Sequence, residues 1–210
     1  MRVDFVSDIA CPWCAIGLAS FERALARIGD AATIELRFQP FELNPRMGPE
    51  GEDATAYLAR KYGIGAEQVA ISASRLREQA QAYGLEFAER RRVWNTFDAH
   101  RLLYWAFEAG GAQVQRNLER ALLRAYHGEG LDPGEHNLLV RLAGEAGLDA
   151  EQAQRVLGEG RYAAQVRAAE AHWQAQGISA VPSVIVDQRH LIQGAQPPEL
   201  FEQALRRSMA

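Results

Sequence analysis

The sequence predicts an α/β protein in which two strand-bearing ends form one sheet and a long helical segment is inserted between them. Three observations lead to this prediction. Strand-like alternation of apolar residues occurs only near the two ends, helical spacing fills the middle, and each end carries too few strands to bury a core alone. We therefore expect one discontinuous domain, residues 1–45 and 160–210, and an inserted helical domain, residues 46–159.

The N-terminal end predicts a β-α-β unit. Apolar residues alternate over residues 3–6 and 34–38, which is typical of short strands. The stretch between them, Pro12 to Ile28, has helical spacing, and proline is favoured at the first position of a helix. Proline and glycine residues recur from Pro40 to Gly51 and predict a loop that separates this unit from the insert.

The middle of the chain predicts helices and no strand. Glycine residues and an Asp132-Pro133-Gly134 turn separate stretches whose apolar residues recur at helical spacing. These stretches cover residues 54–62, 67–83, 96–109, 113–127, 135–146 and 150–176, the last broken near Gly158 and Gly160. The insert is therefore predicted to be all-helical.

Strands return only near the C-terminus. Residues 181–186 and 190–192 have the composition of β-strands, and Asp187 to Arg189 between them predict a hairpin turn. A last amphipathic helix is predicted from Pro198 to about Arg207. The order β-α-β, then helices, then β-β-α is that of a thioredoxin fold interrupted by a large all-helical insertion.

Composition and charge exclude several classes of function. With 48% hydrophobic and 24% charged residues, the 210-residue chain is that of a globular protein with a sizeable core. A net charge of −4 has the wrong sign for binding nucleic acid by neutralising phosphates. Lys61 is the only lysine, so phosphate-binding Gly-Lys loops and Schiff-base chemistry have almost no place in this chain.

The lengths of the apolar runs and the first residues of the chain indicate whether the protein is expected in a membrane, outside the cell or in the cytoplasm. No stretch approaches the roughly 18 uninterrupted apolar residues of a membrane helix, so we expect no membrane partner. Met1 is followed at once by strand-like residues, which leaves no room for a signal peptide. These observations predict a cytoplasmic protein.

The two cysteines carry the most informative signal. Cys11 and Cys14 form a Cys-Pro-Trp-Cys motif between the first strand and the first helix. A disulfide that closes so short a loop would stabilise the protein by only about 2 kcal/mol. A zinc site needs four ligands, and the scattered histidines do not supply the others. We therefore predict a redox-active pair without a metal or organic cofactor, with two unreactive buried thiols as the alternative.

The position of each cysteine in the helix predicts its role. Cys11 precedes Pro12 at the helix N-terminus, where unpaired N–H groups and the helix dipole favour a thiolate. Cys14 follows nearly one turn later on the same face, from which it can attack a mixed disulfide formed at Cys11. We predict that Cys11 is the nucleophile and Cys14 the resolving thiol.

Other polar residues have simpler interpretations. The run Arg90–Arg92 is typical of a solvated face, and Asn95 and Thr96 are typical of a helix start. Most of the histidines lie on predicted helices among charged neighbours, which predicts surface positions. Of these histidines we single out His100 alone.

The segment Ser7–Cys14, followed by Ile16 and Gly17, resembles the active-site segment of the DsbA-like thioredoxin-fold oxidoreductases, in particular their FrnE-like cytoplasmic branch. Ala15 departs from that branch, where tyrosine is common after the motif, and no second cysteine pair is present. Further segments are similar to the branch in the same order, namely Phe41–Pro45, Asn95–Leu102, Ile178–Pro182 and Gln193–Pro197.

The resemblance implies a function and a set of site residues. It implies a protein disulfide oxidoreductase with Cys11 as nucleophile and Cys14 as resolving thiol. The residues expected to support the active site are Pro12, Trp13, Val181 and Pro182, with a cis peptide bond before Pro182. The residues expected to contact substrate from the insert are Asn95, Thr96 and His100.

Two other classes of function stay open. Kappa-class glutathione transferases and 2-hydroxychromene-2-carboxylate isomerases share the fold but usually carry serine in place of the first cysteine, which makes a glutathione-dependent isomerase or transferase the second hypothesis. A redox-inert peptide-binding module that uses the edge beside Pro182 is the third. The expected partners are protein, peptide or small-molecule disulfides and thiols, with glutathione as a candidate co-substrate and a homodimer as a candidate assembly.

Overall fold

The computed structural model describes residues 1–29 and 33–209 of the chain. The strands are β1 (Arg2–Ser7), β2 (Glu35–Pro40), β3 (Glu52–Asp53), β4 (Arg92–Val93), β5 (Ser183–Val186) and β6 (His190–Gln193). The helices are α1 (Pro12–Ile28), α2 (Ala54–Tyr62), α3 (Ala66–Ala82), α4 (Phe97–Leu123), α5 (His136–Glu145), α6 (Ala150–Gly158), α7 (Ala163–Ala175) and α8 (Pro198–Met209). A π-helical turn, Arg124–Gly128, follows α4. Among the described residues, no helix combines the length and the apolarity needed to cross a membrane.

Both ends of the chain contribute to one four-stranded sheet, in the order β2-β1-β5-β6. β2 runs parallel to β1, which requires a crossover such as α1, whereas β5 pairs antiparallel with both β1 and β6. Because β1 is bonded to β2 on one side and to β5 on the other, neither end forms the sheet alone. The thioredoxin fold predicted from the order of elements is therefore confirmed.

Helices cover both faces of the sheet. Successive residues of β1 point to opposite faces, so neighbouring side chains contact different helices. Phe5 packs edge-on against Phe21 of α1, with ring centroids 6.3 Å apart, and α8 packs beside α1. The next residue, Val6, packs in a cluster with Trp173 of α7. β1 is therefore buried after its first residue, and the turn that follows it, residues 8–10, is buried as well.

The insert contains the predicted helices and one short pairing that the sequence does not predict. β3 and β4 form a two-stranded antiparallel ladder, so the insert is not entirely helical. Strands this short leave no alternating pattern in a sequence. The predicted helices 96–109 and 113–127 follow one another as α4, with a break in helical geometry at Gly111, whose φ of 73° favours glycine.

The insert and the sheet are joined by polar and apolar contacts. The side-chain amide of Gln115, on α4, accepts a hydrogen bond from Phe38 N (2.9 Å) and donates one to Phe38 O (3.0 Å), at the edge strand β2. One continuous apolar cluster includes Phe5 of the sheet, Leu118 of α4 and Leu139 of α5. The segments assigned to the two predicted domains therefore share a core.

Candidate active site

The Cys-Pro-Trp-Cys motif lies at the predicted transition from strand to helix. Cys11 is the N-cap residue of α1, with an extended backbone, and Pro12 occupies the first turn. Cys11 is 4% exposed and Cys14 is fully buried, and both are free thiols. Trp13 between them is 43% exposed. Of the two thiols only Cys11 borders an open groove, so it is the one that a substrate can reach.

The surroundings of the two thiols separate their pKa values. A hydrogen bond from the Cys14 thiol lowers the pKa of Cys11, and the backbone N–H groups of Cys14 and Trp13 act in the same direction against burial and the Asp8 carboxylate. Burial and the neighbouring Cys11 raise the pKa of Cys14 well above its usual range. The thiolate therefore forms first at Cys11, the residue at the helix N-terminus.

Val181 and Pro182 lie beside the cysteines. The Cys11 thiol donates to Val181 O across 3.6 Å, and the Val181–Pro182 peptide bond is cis, the geometry that the resemblance implies. Pro182 approaches α1 at Gly17, where an added Cβ would lie 3.0 Å from Pro182 Cγ. Glycine at position 17 therefore permits the close approach of this loop to α1.

Asp8 organises the turn that leads from β1 to Cys11. Its backbone carbonyl accepts from Cys11 N (3.0 Å), and its carboxylate accepts from Ala10 N (3.0 Å) and from Leu43 N (2.7 Å). The Thr96 hydroxyl donates to the same carboxylate across 2.8 Å. Because Asp8 is fully buried, these donors satisfy its carboxylate and hold the orientation of the turn.

Two side chains from the insert bind the other carbonyls of this turn. His127, on the π-helical turn, places Nε2 2.9 Å from Ile9 O, and the guanidinium of Arg90 donates to Ala10 O across 2.6 Å. Burial, together with the Arg90 charge, lowers the pKa of His127 well below its usual range, so its imidazole is neutral. The expectation of surface histidines is wrong for His127, which is buried, and the Arg90 run is more than a solvated face.

A groove of about 630 Å³ opens beside Cys11, within the size range of ligand pockets. Residues of the Cys11 turn, of α2 and α3, and of the segment before β4 line it. Its positive charge comes from Lys61, Arg77 and Arg90, against the carboxylate of Glu89. Its apolar side chains include Trp13, Tyr57, Leu58, Leu76, Phe87 and Tyr126.

The three residues predicted to contact substrate lie away from this groove. Thr96 and His100 are buried against Asp8, with His100 Nε2 3.5 Å from Asp8 Oδ1. The side-chain carbonyl of Asn95 accepts from Phe97 N at the start of α4, and its side-chain amide donates to Met47 O across 3.1 Å. A role in substrate binding stays a prediction for all three, whereas the contacts of Thr96 and His100 with Asp8 are direct.

No pattern in the sequence marks Asp8, Glu119 or His127 as part of the site. Asp8 lies three residues before Cys11, but an aspartate in a turn is equally typical of an exposed position. His127 lies 118 residues from its partner Ile9, and no local pattern links the two. Within the described ranges, no group of three or more His, Cys, Asp and Glu side chains is arranged to hold a metal ion.

The fold and the placement of the cysteine pair define a thioredoxin-fold protein with a candidate redox site. The DSBA-like thioredoxin domain matches residues 2–206, and the chain belongs to that family. The resemblance found in the motif and its accompanying segments is therefore confirmed at the level of the family.

Solved structures agree with this assignment. The chain is similar to the probable DsbA oxidoreductase SCO1869 from Streptomyces coelicolor, with 38% sequence identity, a TM-score of 0.89, and coverage of 100% of this chain and 90% of that chain. It shares the fold of 2-hydroxychromene-2-carboxylate isomerase (17% identity, TM-score 0.74, coverage 100% and 96%). It also shares the fold of the cytosolic disulfide reductase DsbM from Pseudomonas aeruginosa, solved with GSH (15% identity, TM-score 0.69, coverage 100% and 99%).

Proposed function

We propose that the protein is a thiol-disulfide oxidoreductase that exchanges disulfides with its substrate through Cys11 and Cys14. The observation that carries this proposal is the asymmetry of the pair. Cys11 is the N-cap of α1, has a lowered pKa and borders a groove, whereas Cys14 is buried behind it with a raised pKa. Neither a structural disulfide nor a pair of inert thiols needs this asymmetry.

The proposed reaction consists of two exchanges. In the first, the Cys11 thiolate attacks one sulfur of a substrate disulfide, a mixed disulfide forms, and the other substrate sulfur leaves as a thiolate and takes up a proton. In the second, Cys14 loses its proton and attacks Cys11 Sγ, which releases the remaining substrate sulfur as a thiol. Two electrons then have passed from the pair to the substrate, and the reverse sequence oxidises a dithiol substrate.

The groove beside Cys11 is the proposed site for substrate side chains. A chain that reaches the Cys11 sulfur passes Val181 O, which lies 3.6 Å from it. The apolar lining and the charges of Lys61 and Arg77 favour an apolar segment that carries an acidic group. The proposed substrates are protein, peptide or small-molecule disulfides and thiols, among which glutathione is supported by its presence in the DsbM structure.

Matched serine variants test the proposal. The wild-type protein is expected to turn over a fluorescent peptide disulfide with glutathione as the recycling thiol. Cys11→Ser should abolish exchange, whereas Cys14→Ser, in a single turnover without glutathione, should accumulate a mixed disulfide that mass spectrometry detects. Exchange that survives Cys11→Ser, or a Cys14→Ser variant that forms no mixed disulfide, would contradict the assigned roles.

A glutathione-dependent isomerase or transferase is the second candidate, and the fold shared with 2-hydroxychromene-2-carboxylate isomerase favours it. Such an activity needs no resolving thiol. Cys14→Ser should therefore keep full activity toward an electrophilic acceptor with glutathione if this candidate is right, and lose multiple turnover with disulfides if the first is right. Peptide binding without exchange at either cysteine would instead indicate the redox-inert module.

A further inference from the structure

A buried polar cluster lies behind the cysteines and consists of Asp8, Glu42, His100 and Glu119. His100 Nε2 is 3.5 Å from Asp8 Oδ1 and has no hydrogen-bond partner among the described residues. Glu119 accepts from the Ser7 hydroxyl through Oε1 (2.9 Å), whereas its buried Oε2 has no such partner in the described part of the chain. Three carboxyl groups therefore act on a single imidazole.

Within this cluster, His100 and Asp8 shift each other's pKa values toward their charged forms. Burial alone would lower the pKa of His100, but the Asp8 carboxylate, with smaller effects of Glu119 and Glu42, outweighs it and the pKa is raised. Burial alone would raise the pKa of Asp8, but His100 and two backbone N–H groups outweigh it and the pKa is lowered. Both shifts favour the charged forms, a carboxylate at Asp8 and an imidazolium at His100, and the two groups are in contact as a buried ion pair.

Asp8 connects this ion pair to the thiols. Its carbonyl accepts from Cys11 N (3.0 Å), and its carboxylate accepts from Ala10 N (3.0 Å) in the turn that carries Cys11. An anion at this position disfavours a thiolate at either cysteine, because like charges in a buried site repel. The imidazolium of His100 is in contact with that anion at Oδ1, the oxygen that also accepts from Ala10 N.

We propose that His100 is a positioning residue for the redox pair: its imidazolium cancels the effect of the Asp8 carboxylate on both thiols and so sets the equilibrium between dithiol and disulfide. The proposal rests on the proposed oxidoreductase function and deepens it. The groups that face His100 are Asp8 from the turn after β1, Glu42 from the segment after β2, and Glu119 from α4. Arg167 of α7 already pairs with Glu42, which leaves Asp8 as the ionised partner in contact.

His100→Gln removes the imidazolium. Three donors still bind the Asp8 carboxylate and favour its ionised form. The apparent pKa of Cys11, read from alkylation rates across pH, should therefore rise by about one unit. The equilibrium with glutathione should shift about tenfold toward the protein disulfide, which corresponds to about 30 mV. His136→Gln, at an exposed histidine paired with Asp98, is the matched control and should change neither quantity.

A double variant separates charge from packing. With Asp8→Asn added to His100→Gln, the apparent pKa of Cys11 should return toward the wild-type value, whereas a packing defect would persist or grow. An unchanged Cys11 pKa in His100→Gln, or a double variant no closer to wild type than the single one, overturns the proposal. Alkylation of Cys11 requires no turnover, so it tests the role of His100 by itself. Failure of the proposed oxidoreductase function would be seen separately, as the absence of disulfide exchange in the wild-type protein.

If the variants do not fold, the wild-type protein supplies the test. Linkage requires that a cation which stabilises the Cys11 thiolate is itself stabilised by that thiolate. The pKa of the His100 imidazole, followed by NMR, should therefore be higher in the reduced protein with Cys11 ionised than in the disulfide form. Equal values in the two forms overturn the proposal.

Discussion

Cys11 and Cys14 stand within one turn of the same helix, and their chemistry differs because only the first reaches the helix terminus. The Cys14 thiol, together with the N–H groups of Cys14 and Trp13, acts on Cys11 and stabilises its thiolate. Cys14 has its sulfur enclosed by protein, and burial keeps its proton in place. At the scale of single residues, position in the helix and degree of burial together assign a nucleophile and a resolving thiol to the proposed reaction.

Glu119 predicts a pH dependence of stability. Burial raises its pKa from 4.5 to about 7. A carboxyl with a raised folded-state pKa contributes stability fully below its unfolded value and loses that contribution as pH rises through about 7. Glu119→Gln keeps the acceptor for the Ser7 hydroxyl but cannot ionise. We expect the variant to gain up to about 3 kcal/mol of unfolding free energy relative to wild type between about pH 5 and pH 8.

Urea unfolding of both proteins at several pH values measures this difference. Glu78→Gln, at an exposed position of α3, is the control and should differ from wild type by the same small amount at every pH. A difference between Glu119→Gln and wild type that does not change with pH would show that Glu119 does not titrate in this range.

Helix α4 is the element that connects the insert to both the sheet and the cysteines. His100 and Glu119 reach the buried cluster behind Cys11, and Gln115 reaches the edge of β2. The break at Gly111 lies between the two halves of this helix, and the π-helical turn at its end carries His127. Such turns are frequent at functional sites. The two halves of α4 and the turn that follows it therefore bring side chains from distant sequence positions to one site.

Gln115→Leu tests the link between α4 and the sheet. The substitution leaves the backbone N–H and carbonyl of Phe38 without their partner, which should cost about 1 to 3 kcal/mol of unfolding free energy. Gln113→Leu, at an exposed position of the same helix, is the matched control and should change stability by less than about 0.5 kcal/mol. Equal losses in the two variants, measured by urea unfolding, would argue against the bridge.

One large apolar cluster extends from the sheet into the insert. It contains Val3 and Phe5 of β1 and Phe201 of α8, but also Leu122 of α4 and Leu142 of α5. Because α4, α5 and α6 of the insert pack on this shared core, they lose apolar contacts when the sheet is lost. For the whole molecule, this shared core predicts that the two predicted domains unfold together.

We expect one unfolding transition for the two predicted domains. Tryptophan fluorescence reports on both of them, because Trp94 and Trp105 lie in the insert and Trp13 and Trp173 in the segments assigned to the thioredoxin fold. Urea transitions followed by fluorescence and by far-UV circular dichroism should coincide. Separate midpoints, or a plateau between two transitions, would show that the insert unfolds independently.

The sequence by itself determined the features that depend on local chemistry. A proline in the first turn and a spacing of three residues place Cys11 and Cys14 at the start of α1. The order of strands and helices selects the thioredoxin fold, because two short strand pairs cannot bury separate cores. The motif and the segments that accompany it also identify the family without reference to any contact between them.

Only the tertiary structure decided which polar groups surround the pair. Thr96 and His127 reach the turn before Cys11 across 88 and 118 residues of chain, and nothing in their own segments marks them as buried. A histidine among charged neighbours is typical of a surface, and it becomes an interior group only when another element covers it. The pKa values of Asp8, His100 and Glu119 follow from that burial and from their mutual contacts. The groove depends in the same way on how α2 and α3 are set against the Cys11 turn, because long-range packing has no counterpart in local periodicity.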